Sequence, residues 1–480
     1  MMTSPSIYQR LKPIFNPRGV AVIGASNNPA KFGSMFLNAL LDTKFPRVYP
    51  VNPNEAEVSG LISFKRVEDI PGHVDYSLIS VPISRIIEVI KDCGRKSVKG
   101  AAIFTAGFSE GGTEKGKNLE KEMVNIAKKY GLRLIGPNCI GIYCPSSRLA
   151  FFPGLSQEEG RIGFISQSGG HAEELARQAS KWGLTFSKII SYGNGCDLDS
   201  TDFLEYLGED PDTKIVTLYV EGVKDGPRFV KALRRVAASK PVVVWKGGTS
   251  DNSARAAASH TGSMAGSNEV WNTVLNYPGV IRVQDFEELG DTLVTIQYLC
   301  PPKSKNVGVI GAGGGFSVAV TDVLERFGLV VKRFTSETIG KLNEIIPALG
   351  TGTKNPIDLS YFLMQDISLL KKSFEIVAKD PNIDMLLTHI SPDFTGNDAL
   401  SDAFISRKQV EIVEVLVDIK NLMKECFPEK PFAVILNAPA KIEYEIDRLK
   451  INETLLKKGI PVYLSSTRAA KALQALTQLA

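Results

Sequence analysis

One of only four histidines in this 480-residue chain, His260, stands in Ser259-His260-Thr261-Gly262-Ser263. The loop follows the apolar run Val242-Val243-Val244-Trp245 and then Lys246-Gly247-Gly248, and it ends at Ala265-Gly266. An imidazole is a nucleophile near neutral pH, and a loop of Gly, Ser and Ala changes conformation at low cost. That combination suits a carrier that takes up a group in one place and delivers it in another. A solvated loop histidine has the same sequence neighbours, so the rest of the chain must decide between the two.

Two further stretches bring complementary chemistry. The strand predicted over Lys214 to Val220 ends at Glu221-Gly222. A carboxylate there is the natural partner of His260: it accepts Nδ1–H, leaves Nε2 as the nucleophile and stabilises positive charge on the ring. A surface glutamate at a turn is the plain alternative. Arg161-Ile162-Gly163-Phe164-Ile165 predicts another strand, followed by Ser166-Gln167-Ser168-Gly169-Gly170 and a helix from about His171. Ser168, Gly169 and Gly170 leave backbone N–H groups free at a helix start, an anion site that needs no Lys or Arg; an ordinary N-cap has the same residues. Asn194, within Ser191-Tyr192-Gly193-Asn194-Gly195, is either an amide donor to a phosphate or part of a tight turn.

Short β-branched strands alternating with helical stretches predict parallel sheets wrapped by helices, an α/β fold in three domains: residues 1–150, 160–300 and 305–480. In the first, Gly19-Val20-Ala21-Val22-Ile23 runs into Gly24-Ala25-Ser26 and then a helix from Phe32. Ligands of such sheets lie beyond the carboxyl ends of the strands. The residues there are Gly24-Ala25-Ser26, Asn52-Pro53, Val81-Pro82, Thr105-Ala106-Gly107 and Gly136-Pro137-Asn138-Cys139. Neither the first turn nor Gly311-Ala312-Gly313-Gly314-Gly315-Phe316 in the third domain has the G-x-G-x-x-G spacing of a dinucleotide site. Gly111 to Asn118 resembles a phosphate loop but lacks the metal-binding hydroxyl, and Glu110 and Glu114 would repel a triphosphate, which leaves a solvated loop.

With 43% hydrophobic and 22% charged residues and a net charge of +4, the chain reads as an ordinary globular protein without a nucleic-acid surface. Its six cysteines contain no C-x-x-C pair, so no metal site is expected and the thiols read as reduced. No membrane span and no signal peptide are expected, which places the protein in the cytoplasm. His73, His171 and His389 have no setting like that of His260 and are read as structural.

Taken together, Gly24-Ala25-Ser26, Pro50-Val51-Asn52-Pro53, Gly136-Pro137-Asn138-Cys139, Ser166-Gln167-Ser168-Gly169, Glu221-Gly222 and Ser259-His260-Thr261-Gly262-Ser263 occur in the order seen in NDP-forming acyl-CoA synthetases, which are similar to succinyl-CoA synthetase. The resemblance spans essentially the whole chain. It implies an N-terminal Rossmann-like coenzyme A domain followed by two flavodoxin-like domains, the second a scaffold and subunit contact that shares Asn355-Pro356-Ile357-Asp358 with the family. It implies that Gly24, Ala25, Ser26, Lys31, Asn52, Pro53, Val81, Pro82, Asn138 and Cys139 line the CoA site, and that His260 is transiently phosphorylated with Glu221 in support. Ser168, Gly169, Gly170 and Asn194 would hold phosphate. Acyl-CoA, phosphate and ADP would be interconverted with carboxylic acid, CoA and ATP through an acyl phosphate. The ATP-grasp region that binds Mg-ADP or Mg-ATP has no counterpart here, which implies a separately encoded β subunit in an α2β2 assembly. The alternative is a CoA-binding regulatory or scaffolding protein of the same fold without the chemistry.

Overall fold

The structure is a computed structural model that describes residues 5–250, 252–253, 267–311, 313–348, 351–359, 362–391, 402–439 and 442–480. His260 lies outside these residues. The chain forms two compact units, Met1–Ser180 with Leu184–Gln284 and Lys181–Gly183 with Asp285–Ala480.

The first unit holds two sheets of one winding pattern. β1 (Val20–Ile23), β2 (Val48–Val51), the small hairpin β3 and β4 (Glu57–Val58, Leu61–Ile62), β5 (Tyr76–Ile79), β6 (Gly100–Ile103) and β7 (Arg133–Ile135) come first. The hairpin aside, they form a parallel sheet in the order β2-β1-β5-β6-β7. Val20, Ala21, Val22 and Ile23 are all buried, the mark of a strand covered on both faces. The covering helices are amphipathic: in Ile86–Arg95 the residues Ile86, Val89, Ile90 and Cys93 turn inward at helical spacing.

β8 (Gly141–Tyr143), β9 (Glu159–Ser166), β10 (Phe186–Ser191), β11 (Ile215–Val220), β12 (Val242–Lys246) and β13 (Val280–Val283) form the second sheet, ordered β13-β12-β11-β9-β10-β8. Only β8 is antiparallel, against β10. In both sheets the first parallel strand lies between its second and third, so the crevice at the switch of strand order opens beside β1 and beside β9.

The second unit carries β14 (Val307–Ile310), β15 (Met385–Ile390), β16 (Phe432–Leu436) and β17 (Val462–Tyr463), all parallel. An isolated parallel bridge between Asn306 and Val330 extends the same edge. Helix Phe286–Tyr298 belongs to this unit. Its Asp291 takes the guanidinium of Arg468 in a two-pronged ion pair of 2.6 and 2.8 Å, which ties this helix to the last helix of the same unit. Among the described residues no helix is long and apolar enough to cross a membrane.

His389, at the end of β15, stacks on Phe316 with centroids 3.6 Å apart and meets the Asn437 amide at 2.7 Å. Burial pushes its pKa down to about 4. The folded protein therefore binds this proton less readily than the unfolded chain, whose histidine titrates near ~6.5. The contribution is complete above that value and is lost as pH falls toward about 4. Between pH 7.5 and 4.5 the wild type should lose roughly 2–3 kcal/mol more unfolding free energy than His389→Gln. Urea unfolding of both proteins at the two pH values measures it, and equal losses would show that His389 does not titrate as placed.

Candidate active site

The two crevices hold most of the residues expected to do chemistry. Beside β1, Gly24 has φ +90°, and a Cβ there would lie 2.1 Å from the Ser80 carbonyl oxygen. Only glycine lets the turn close this tightly on the neighbouring strand end. Gly33, in the first turn of helix Phe32–Asp42, packs against the same turn: its Cβ would stand 1.9 Å from the Gly24 oxygen. Beyond them opens a cavity of about 620 Å³ lined by Gly24, Ser26, Lys31, Asn52, Pro53, Val81 and Pro82, among others.

Ser26 and Asn52 reach that cavity but their polar atoms are engaged. Ser26 Oγ donates to Glu55 at 3.0 Å, and the Asn52 amide donates to the Ala25 carbonyl at 2.8 Å and to Glu55 at 2.9 Å. Asn27 donates to Glu55 through its side-chain amide at 2.6 Å and through its backbone N–H, the chief cause of the lowered Glu55 pKa. These residues shape the lip of the cavity. Ala25 is buried and contributes its carbonyl alone. Glu55 escaped the sequence reading although it follows Asn52-Pro53 so closely, as did Lys65, Arg66 and Arg85, whose positive side chains also line the cavity.

Asn138 and Cys139 do not line it. They sit where the loop after β7 meets the loop after β10: a Cβ on Gly193 would lie 2.3 Å from the Asn138 oxygen, and Asn194 N–H donates to the Pro137 carbonyl at 3.0 Å. The Cys139 thiol is buried against the carbonyls of Ile103 and Ile135, and burial pushes its pKa up to about 12. Asn194 also requires correction as a phosphate ligand. Its side-chain amide donates to Glu110 at 2.5 Å and to Glu120 at 3.0 Å. Donors already spent on two carboxylates, in a negative setting, do not hold an anion.

The crevice beside β9 is built differently. Ser168 caps helix Gly169–Gln178, its Oγ accepting the N–H of His171 at 3.3 Å. The N–H groups of Gly169 and Gly170 occupy the first turn, where no intrahelical acceptor exists. On the adjacent strand, Glu221 is buried at 7% exposure. Its N–H donates to Gln167 Oε1 at 2.8 Å, and its own Oε1 accepts the Tyr219 hydroxyl at 3.1 Å. Gln167 Oε1 also accepts from Tyr192 at 3.2 Å and from the Gly222 N–H at 3.3 Å, so one buried amide joins the end of β9 to the Glu221 turn.

The root of the histidine loop is at the same edge. β11 and β12 pair with Val220 opposite Lys246, and the buried Lys246 ammonium donates to the Glu221 carbonyl at 2.9 Å. Burial lowers the Lys246 pKa, opposed by Glu221. At the far end Ser267 caps helix Asn268–Leu275. His171, read as structural, packs at this edge with its ring 4.5 Å from both Tyr219 and Trp245. Burial lowers its pKa. Its partners come from β11 and β12, so no local sequence pattern could have revealed it.

Residues 18–145 match a CoA binding domain family, and residues 159–296 match the succinyl-CoA ligase like flavodoxin domain. Over 468 residues the chain is 37% identical to the α subunit of acetate–CoA ligase [ADP-forming] II of Pyrococcus furiosus, with 97% of each chain covered. This chain belongs to the ADP-forming acyl-CoA synthetase α subunits. The solved dinucleotide-forming acetyl-coenzyme A synthetase 1 of Ca. Korarchaeum cryptofilum, in complex with phosphate and ADP, superposes with a TM-score of 0.83 at 31% identity, covering 98% of this chain and 96% of that one. A longer relative, acetate–CoA ligase [ADP-forming] I of Archaeoglobus fulgidus, is 39% identical over 386 residues, and the match covers 80% of this chain and 55% of that protein. As an acyl-CoA synthetase subunit the chain is an ADP-forming acid–CoA ligase component with CoA, phosphate and ADP in its reaction. The comparisons favour that activity over a chemically silent CoA-binding scaffold.

Proposed function

We propose that this chain works with a separately encoded ATP-grasp β subunit, as an α2β2 enzyme of the cytoplasm, and that His260 carries the phosphoryl group between them. Phosphate attacks the acyl-CoA carbonyl and expels CoA thiolate, giving an acyl phosphate. His260 then attacks phosphorus and releases the carboxylic acid. ADP, as the magnesium complex on the β subunit, takes the group to become ATP, and the whole sequence runs in reverse to make acyl-CoA. CoA occupies the cavity beside β1, where Lys31 and Lys65 offer positive charge to its phosphates and Val81 and Phe32 an apolar wall, while Arg66 and Arg85 are already paired with Asp92 and Glu88.

The observation that carries this reading is the shared edge: the Ser168 to Gly170 helix start, the Glu221 carboxylate and the root of the histidine loop lie on adjacent strands β9, β11 and β12. Phosphoryl transfer asks mainly for positioning and charge stabilisation, which first-turn N–H groups and a buried carboxylate supply. The domains that divide this work are residues 1–150 for CoA, 160–300 for the transfer and 305–480 for scaffold and subunit contact. Incubation with acetyl-CoA and radiolabelled phosphate should place one acid-labile, base-stable phosphoryl group on the tryptic peptide that follows Arg255. ADP should discharge it only when the β subunit is present. Label on any other peptide would overturn the assignment.

A further inference from the structure

A second cavity, of about 360 Å³, lies within the C-terminal unit at the meeting of helices Phe286–Tyr298 and Asp402–Cys426. Three lysines, Lys420, Lys424 and Lys430, line it together with Cys300 and the rings of Tyr298 and Phe427, and no acidic residue is among the described residues of its walls. Lys430 is accounted for by the carbonyls of Ala378 and Asp380 at 2.8 and 2.9 Å. Lys424, in the last turn of its helix, answers the helix dipole. Lys420 has no such explanation. It sits one turn further in, is half-buried, and makes no hydrogen bond or ion pair with a described residue. Burial lowers its pKa, Cys300 opposes that shift, and the neighbouring Lys424 adds to it.

An ammonium taken partly out of water without a counter-charge is costly, and an anion is what would offset it. The volume falls within the ~300–1,000 Å³ range of small-molecule sites. Aromatic walls with a charged end select a ligand that is apolar in body and anionic at one point. We propose that this cavity binds a small organic anion, a carboxylate or phosphate monoester, with its charge on Lys420 and Lys424 and its body on Tyr298 and Phe427.

Cys300 reports on the cavity, its Sγ 3.0 Å from the Pro428 carbonyl. Iodoacetate and iodoacetamide both alkylate the thiolate and release iodide, so the ratio of their rates cancels the effect of burial on the thiol. At low ionic strength that ratio, read by mass spectrometry on the full chain, should be about fivefold or more higher at Cys300 than at the exposed Cys426. Lys420→Gln should bring it down to the Cys426 value, and Lys420→Arg should keep it. Benzoate or phenyl phosphate should protect Cys300 where sodium chloride of equal ionic strength does not, and whichever protects at lower concentration identifies the class of charged group. Equal ratios at the two cysteines, no protection by either anion, or a Cys300 inert to both reagents would each overturn the proposal.

Discussion

His260→Ala should abolish turnover and phosphoryl labelling while leaving CoA affinity at the wild-type value. Removal of a covalent nucleophile costs on the order of 10⁴-fold or more in kcat, and the described residues that line the cavity beside β1 all fall between Ile23 and Asp92. Glu221→Gln is the graded companion. The amide keeps the shape and can still accept a hydrogen bond, but it withdraws the negative charge that the proposed mechanism sets against a charged imidazole. A loss of roughly 10²–10³-fold in kcat follows from removing one such electrostatic contact. The Glu221 turn is held by Gln167 through the backbone N–H groups of Glu221 and Gly222, so the fold should survive and phosphohistidine accumulation, read by intact mass, should fall. Normal turnover in His260→Ala would end the mechanism. Full labelling with normal turnover in Glu221→Gln would remove the carboxylate from it.

What could be read in the sequence was whatever is encoded over a few residues. The strand runs Val20–Ile23, Val48–Val51, Ile215–Val220 and Val242–Lys246 announce themselves by β-branched apolar composition, and the helix starts after Ser168 and Ser267 by their capping residues. Glu221 could be placed because a strand end and its following glycine mark the position. What failed depends on partners far along the chain. The loop around Asn194 has the composition of a ligand loop, yet its amide answers Glu110 and Glu120, 84 and 74 residues away. Cys139 belongs to a motif shared with the family, but the motif serves a seam between loops. β8 was passed over because three residues beside a proline turn carry too little pattern, and its antiparallel pairing is set by β10. His171 looked like any helix-start histidine until β11 and β12 brought Tyr219 and Trp245 against it.

Gly33→Ala should destabilise the protein by about 2–4 kcal/mol and weaken CoA binding at least about tenfold. At an open helix position the same change would stabilise, since alanine is the better helix former by about 1 kcal/mol. The clash reverses the sign. The added methyl carbon would meet the Gly24 carbonyl oxygen at 1.9 Å, its carbon at 2.6 Å and the Ala25 nitrogen at 3.0 Å, and all three are backbone atoms that no rotamer change can move aside. Relief requires helix Phe32–Asp42 to withdraw from β1, and its first residue, Phe32, with Ala30 and Lys31 before it, lines the cavity proposed for CoA. The role is that of the third glycine in a dinucleotide turn, the one that lets helix and strand approach, displaced here to nine residues after Gly24. Gly60→Ala is the matched control. That glycine, unlike Gly33, has a positive φ, +78°, but nothing lies within 4 Å of its Cβ, so only backbone strain of roughly 1–2 kcal/mol is at stake and CoA affinity should not change. Thermal melts and CoA calorimetry on the two variants separate the cases, because strain in the turn acts on stability alone whereas loss of the close approach acts on stability and on CoA together.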